Sequence, residues 1–424
     1  MKLRHLGALA VIAALAFSAC NQAPGSSGSA SKGTYNVAID LPLQGSELAG
    51  SQPVINGALL ALKQAGGKAG GYTIEVPKAL ILDDALSGKH DPQTGANNVQ
   101  NFIGNSKVIA MLGPLNSNVA KAQIPLTNEA GLSQCSPANT NEGLTKPEFG
   151  ALDVRKKKPT EINYVRVATT DDLQSKADAD YLAKIGVKNL YIIDDTETFG
   201  KGIADNVAKY WTDTLKLTVV GHDSIPSTTT DYQSILTTAA SKHPDGIYFG
   251  GVTASGGARV FRAAVQAGLG TVPYLGPDGI QDGGSDTKDS FLSIALPDLG
   301  TAKGVYATLA GKASYPGSEQ FLKDYKAEYN IDATGYAIQG FACMQVILDA
   351  IGRAGATNPA DDAALRAAVR KAISDTTYTY KIALGDVQFD ANGDTSQKIN
   401  TVYQATLDST GKATWVAKEE MLAK

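Results

Sequence analysis

The sequence predicts an α/β protein made of two doubly wound units, each with a central, mainly parallel sheet. Three observations predict it. Apolar runs of strand length alternate with stretches of helical period from residue 35 onward. The alternation breaks once, over 141–163, and a second series then repeats the same architecture without an obvious sequence repeat. Finally, 424 residues with 43% hydrophobic and 19% charged side chains suffice for two real cores and exclude a disordered chain.

The elements follow in order. Lys2 and Arg4 precede an apolar run over 6–17, then the small residues Ser18 and Ala19 and a cysteine. This is a secretory leader over 1–19. It resembles a bacterial lipoprotein signal with Cys20 as the acylated first residue of the mature chain. The apolar run is too short to span a bilayer comfortably, so acyl chains would hold the body at a membrane. Residues 20–34, rich in Gly, Ser and Ala, read as the lipidated tether.

A strand over 35–41 comes next, then a helix over 53–64 with Ile55, Leu59, Leu60 and Leu62 on its apolar side. A glycine-rich turn over 65–71 leads to a strand over 72–82. Those glycines follow a helix and precede a strand, the reverse of a dinucleotide loop. A helix over 92–103 and a strand over 107–112 lead to Gly113 and Pro114, and a further helix opens at Asn116 and Ser117. A strand over 132–135 ends in the polar turn 136–140. Two parallel strands thus end side by side, and the crevice beyond such ends is where open α/β sheets bind ligands. Free N–H groups at a helix start are donors for an anion such as a carboxylate.

The break over 141–163 carries Pro147, Pro159 and the run Arg155-Lys156-Lys157-Lys158, and reads as a solvated loop. Strands over 164–169, 189–194, 218–225, 246–250 and 272–275 then alternate with helices over 173–184, 200–215, 232–241 and 256–267. Helices over 321–329, 336–353 and 361–373 follow. The tail predicts two strands, 387–390 and 402–407, joined by the turn Asn392-Gly393-Asp394.

The net charge of −4 offers no footprint for nucleic acid. His5, His90, His222 and His243 show no metal-ligand spacing. The chain also lacks H-E-x-x-H, paired C-x-x-C, the G-x-S-x-G elbow and the phosphate loop G-x-x-x-x-G-K-[ST]. Nothing points to an enzyme, a metal or a cofactor. Asp83-Asp84 and Asp194-Asp195 end strands and read as bystanders or hinge residues.

Several motifs in fixed order resemble one family, the substrate-binding proteins of ABC transporters for branched-chain amino acids, the Leu/Ile/Val-binding type. They are Leu41-Pro42-Leu43-Gln44-Gly45 with Asn56-Gly57-Ala58; Gly66-Gly67 with Gly70-Gly71; Asp83-Asp84; Gly113-Pro114-Leu115-Asn116-Ser117; Asn128-Glu129-Ala130-Gly131; and Ser136-Pro137-Ala138-Asn139-Thr140. The second unit adds Asp194-Asp195 with Phe199-Gly200-Lys201-Gly202, Asp245-Gly246-Ile247-Tyr248-Phe249-Gly250-Gly251, Ala267-Gly268-Leu269 and Gly276-Pro277-Asp278-Gly279. The tail supplies Val387-Gln388-Phe389-Asp390 with Asn392-Gly393-Asp394.

The resemblance implies a type I periplasmic binding protein: two lobes joined by a three-strand hinge and closing on a small molecule. Lobe 1 would comprise 35–171 plus 308–384, and lobe 2 would comprise 172–307 plus 385–424. It implies Ser117, Thr140 and backbone near Ala138 as donors to a ligand α-carboxylate, and Asp278 as partner of the α-ammonium. Phe199 stands where the family usually has Tyr, Val252 where it has another aromatic, and Tyr336 aligns with an aromatic at the cleft mouth. The ligand would be an amino acid, branched-chain or otherwise aliphatic; amides, aromatic acids and other small carboxylates are alternatives. Implied partners are a permease and separate ATPase subunits, with a monomeric binding protein outside the cytoplasm; a lipoprotein that feeds a signalling partner is the other reading. Cys135 and Cys343 both fall in lobe 1, and a disulfide and two buried thiols remain open alternatives.

Overall fold

The computed structural model describes residues 31–226 and 228–422. The leader and Cys20 lie outside the described residues. Two seven-stranded sheets organise the rest. In the first, Thr34–Leu41 is central, with Tyr72–Glu75 and Ile81–Asp83 parallel to it on one side and Val108–Leu112 on the other. Ser133–Ser136 and Tyr164–Arg166 extend the sheet in parallel. In the second, Thr218–Ser224, Asn189–Asp194, Gly246–Gly250, Tyr274–Gly276 and Val305–Leu309 run parallel. Ile399–Leu407 and Ala413–Leu422 complete that edge in antiparallel pairing.

Helices cover both faces of such sheets, so the central strands bury every side chain and read as unbroken apolar runs. Val108–Leu112 and Gly246–Gly250 are buried at every position. In both sheets the chain leaves its central strand for one side and returns on the other. That reversal sits between Thr34–Leu41 and Val108–Leu112 in the first, and between Asn189–Asp194 and Gly246–Gly250 in the second. Each reversal opens a crevice at the strands' carboxyl ends.

The chain passes between the sheets after Arg166, after Leu309 and before Ile399. The third passage lies later than residue 385, because Val387 and Phe389 still pack in the first sheet's core. That core also takes in Ala337–Ala356, whose buried face packs on the helix Glu47–Gln64. The two axes come unusually close. A Cβ on Gly57 would lie 2.1 Å from the Ala337 carbonyl oxygen, and one on Gly340 would lie 2.4 Å from that of Val54. Cys135 and Cys343 are joined in a disulfide, with Cα atoms 5.7 Å apart, tying the sheet to this same helix.

Other expectations need correction as well. The strand read over 72–82 is broken at Pro77, which lacks the N–H a ladder needs; a 3₁₀ turn, Lys78–Leu80, separates Tyr72–Glu75 from Ile81–Asp83. The segment 141–163 is not a loose loop. It forms short helical turns at Glu142–Leu144, Pro147–Phe149 and Ala151–Val154, with Leu144 and Val154 packed among Ala120, Ile124 and Tyr164. Arg155 is buried and donates from Nη2 to the Thr145 carbonyl at 3.0 Å. In the tail, Ile399–Leu407 pairs with Ala413–Leu422, and Gly385–Val387 pairs with Tyr380–Ile382, so the expected hairpin does not form. Ala413–Leu422 is an edge strand with much of its length exposed, so it carries little apolar signal.

Candidate functional site

The carboxyl ends of six parallel strands, three from each sheet, feed loops into one small cavity of about 70 Å³. From the first sheet, Leu41 leads to Ser46, Glu47 and Gly50, Leu112 leads to residues 115–118, and Ser136 leads to Ala138 and Thr140. From the second, Asp194 leads to Asp195, Glu197 and Phe199, Gly250 leads to Val252, Thr253 and Ala254, and Gly276 leads to Asp278, Gly279, Gln281 and Asp282. His90, Gly335 and Tyr336 complete the lining.

All six expected contact residues, Ser117, Ala138, Thr140, Phe199, Asp278 and Tyr336, line this cavity. Ser117 is the first residue of the helix Ser117–Ala130, with Asn116 as its N-cap. Ser117 is buried, and its Oγ accepts the Asn141 N–H at 3.4 Å. The helix N-terminus adds N–H groups and a partial positive charge to this wall. The 136–141 turn beside it is clamped from below. Ser136 Oγ accepts the Asn139 N–H at 3.0 Å, and the buried Arg166 donates from Nη1 to the Asn141 carbonyl at 2.7 Å. Arg166 is held in turn by Asp394, with Nε to Oδ1 at 2.7 Å and both side chains at most 1% exposed. This side is rich in donors.

Asp278 faces it from the second sheet. Its Oδ1 accepts from Gln174 Nε2 at 2.9 Å, and its Oδ2 accepts the Tyr336 hydroxyl at 2.7 Å. Burial pushes the Asp278 carboxyl up to about 6, although both hydrogen bonds favour the charged form. Tyr336 therefore does more than fill the first sheet's core, in which it also packs. Phe199 is half-buried and packs closely over Gly279, where an added Cβ would lie 2.9 Å from its ring.

Several lining residues went unrecognised in the sequence. Glu47 Oε1 and His90 Nδ1 form an ion pair at 2.5 Å within the cavity wall. Burial would lower the His90 pKa, but Glu47, then Glu197 and Asp195, outweigh it and raise it. Asp195 and Asp282 are also pushed up by burial, to about 6 and about 7. The signal that could have found Asp195, Glu197 and Asp282 is position: each follows closely on the end of a parallel strand. The two sides also touch directly. Asn118 Nδ2 donates to Glu197 Oε2 at 2.8 Å, and Asn206 Nδ2 to Glu142 Oε1 at 2.8 Å. No helix among the described residues is long and apolar enough to cross a membrane, and they hold no cluster of His, Cys, Asp and Glu able to bind a metal.

The model of one family, described as periplasmic binding protein, matches residues 34–412. The chain belongs to the periplasmic binding protein family. It is 26% identical over 369 residues to the Leu/Ile/Val-binding protein BraC3 of Rhizobium johnstonii, covering 87% of this chain and 90% of that protein. It is 28% identical over 398 residues to the Leu/Ile/Val-binding protein homolog 3 of Brucella melitensis, covering 93% and 95%. Among solved structures it resembles the leucine-binding protein LivK of Thermotoga maritima, with a TM-score of 0.74 and 23% identity over 92% of this chain and 99% of that one. A solute-binding protein of R. palustris in complex with benzoate gives a TM-score of 0.70 at 20% identity, over 91% and 96%. These neighbours share the type I periplasmic binding protein fold with this chain.

Proposed function

We propose that this binding protein captures an amino acid with an aliphatic side chain between two closing lobes and delivers it to an ABC transporter permease. The observation that carries the reading is the cavity between the sheets, with a donor-rich wall at Ser117, Ala138 and Thr140 opposite the buried carboxylate of Asp278. The first wall suits a carboxylate and the second an ammonium. A ligand that touches both walls favours the closed arrangement by its differential affinity. In this reading the lobes are the bodies built on the two sheets, and the three passages between them form the hinge. The protein does no chemistry on its ligand; separate ATPase subunits supply the energy, and the binding protein acts as a monomer outside the cytoplasm, anchored through acylated Cys20.

A thermal-shift panel of amino acids, amides and aromatic acids tests the binding reading, since a ligand at 100 times its Kd stabilises by about 2.7 kcal/mol. Stabilisation by amino acids supports it. Stabilisation by benzoate-like acids alone would reject the amino-acid assignment. The anchor is tested separately: Cys20→Ala should move the protein from the membrane fraction to the soluble one.

A further inference from the structure

The assigned anchors use only part of the cavity wall. With Asp278 given to an α-ammonium, four more carboxyl side chains still line the same space: Glu47, Asp195, Glu197 and Asp282. Among the described residues neither Lys nor Arg lines it, and His90 is the only basic side chain there. Two of the four carboxyls are spoken for. Glu47 is paired with His90, whose pKa it raises, both side chains being under a tenth exposed. Asp195 braces its own loop, accepting the Ser255 hydroxyl at 2.5 Å and the Glu197 N–H at 3.0 Å.

Among the described residues neither Asp282 nor Glu197 forms an ion pair, although Glu197 lies near enough to His90 to help raise its pKa. Asp282 is 8% exposed and accepts the Phe291 N–H on Oδ1 at 2.8 Å. Glu197 is reached from the opposite side by the neutral amide of Asn118. A separate observation points the same way. Asn116 is 7% exposed and lines the cavity, yet its Oδ1 has no hydrogen-bond partner, and the buried Oε1 of Gln281 has none either. A buried acceptor without a donor is costly, and a buried carboxylate without a counter-charge more so. A purely aliphatic side chain would satisfy none of these groups. One that ends in an ammonium supplies three donors and a positive charge together.

We propose that the ligand is an α-amino acid whose aliphatic side chain ends in a second, cationic amino group, held by Asp282 and Glu197 with Asn116 and Gln281 as neutral acceptors. The assignment rests on the amino-acid reading above and narrows its substrate class. Its test is calorimetric titration of the full-length mature protein with 2,4-diaminobutyrate, ornithine and lysine, against leucine, valine, glutamine and putrescine. At least one diamino acid should bind tenfold or more tighter than every neutral amino acid. Glu197→Gln and Asp282→Asn should each cut that ratio by tenfold or more.

Tighter binding of leucine, valine or glutamine overturns this inference while leaving the amino-acid reading in place. Putrescine binding as tightly as the diamino acids would also overturn it, because the carboxylate wall would then be unused. Failure of every amino acid, neutral or basic, would remove the parent reading as well. Should the variants not fold, the wild-type ratio alone decides.

Discussion

Asp278→Asn separates two things a buried carboxylate does in this cleft. In the ligand-free protein the group is costly. Its carboxyl moves from 3.8 to about 6 on burial, and at about 1.36 kcal/mol per unit the charged form destabilises the fold by up to about 3 kcal/mol at neutral pH. The sign follows from proton counts. Between those two values the folded state holds more protons than the unfolded one, so this group's contribution falls as pH rises through the window. The amide removes the charge and keeps an acceptor, while the Tyr336 hydroxyl can turn to accept. The ligand-free variant should therefore melt higher than wild type at pH 7.

Binding should change in the opposite direction. Loss of a charge-assisted hydrogen bond costs about 1.5–3 kcal/mol, or roughly 10- to 150-fold in affinity for a ligand bearing an ammonium. In wild type, such a ligand needs Asp278 ionised. Affinity should be level above pH 7 and fall by up to about tenfold per unit below pH 6, with about one proton released on binding there. Titration calorimetry in buffers of different ionisation enthalpy reads both quantities, using an amino acid and its deaminated acid. Equal losses for the two ligands in the variant, or no proton release at pH 5, would refute the assignment.

Three further outcomes are expected. Asp394→Asn leaves the Arg166 guanidinium buried and unpaired, which should cost about 3–5 kcal/mol in urea denaturation. Burial alone would raise the Asp394 carboxyl, but Arg166 holds it below the usual range; its contribution is present above the unfolded value and lost as pH falls through the folded one, so wild type should lose more stability than the variant below pH 4. Gly340→Ala forces a methyl against the Val54 carbonyl and should destabilise by about 1–3 kcal/mol or more, seen as a lower melting temperature. Replacing both Cys135 and Cys343 by Ser should lower stability by about 2–5 kcal/mol, read from the urea midpoint, because the bridge closes a loop with a sequence separation of 208.

The fold was largely legible because both central sheets are covered on two faces. Such strands announce themselves as unbroken apolar runs, and Asn189–Asp194 and Gly246–Gly250 have the bounds their sequence suggests. The edges were less legible. Pro53 looked like a helix start, yet it lies inside Glu47–Gln64, and that misplacement hid Glu47 from the site. His90 shows no metal spacing; its partner is a carboxylate 43 residues away, a pairing that only the fold creates. Asp195 looked like a bystander at a strand end, which is where the cleft lies. The donor wall was easier, because a strand, a turn and an Asn-Ser helix start fall in one short stretch.

The cavity lining comes from loops beyond six strand ends, with His90 and the 335–336 turn. Among its side chains, Ala138 and Tyr336 belong to the first sheet's core and Leu115 packs against it; the others lie outside the sheets' hydrophobic layers. Selectivity and scaffold are thus separately inherited. A lineage can exchange Phe199, Val252, Glu197 or Asp282 and acquire a new ligand while the ladders, the glycine crossing and the Arg166 clamp pass on unaltered. Within such a lineage, distant members should share their hinges and differ in their diets.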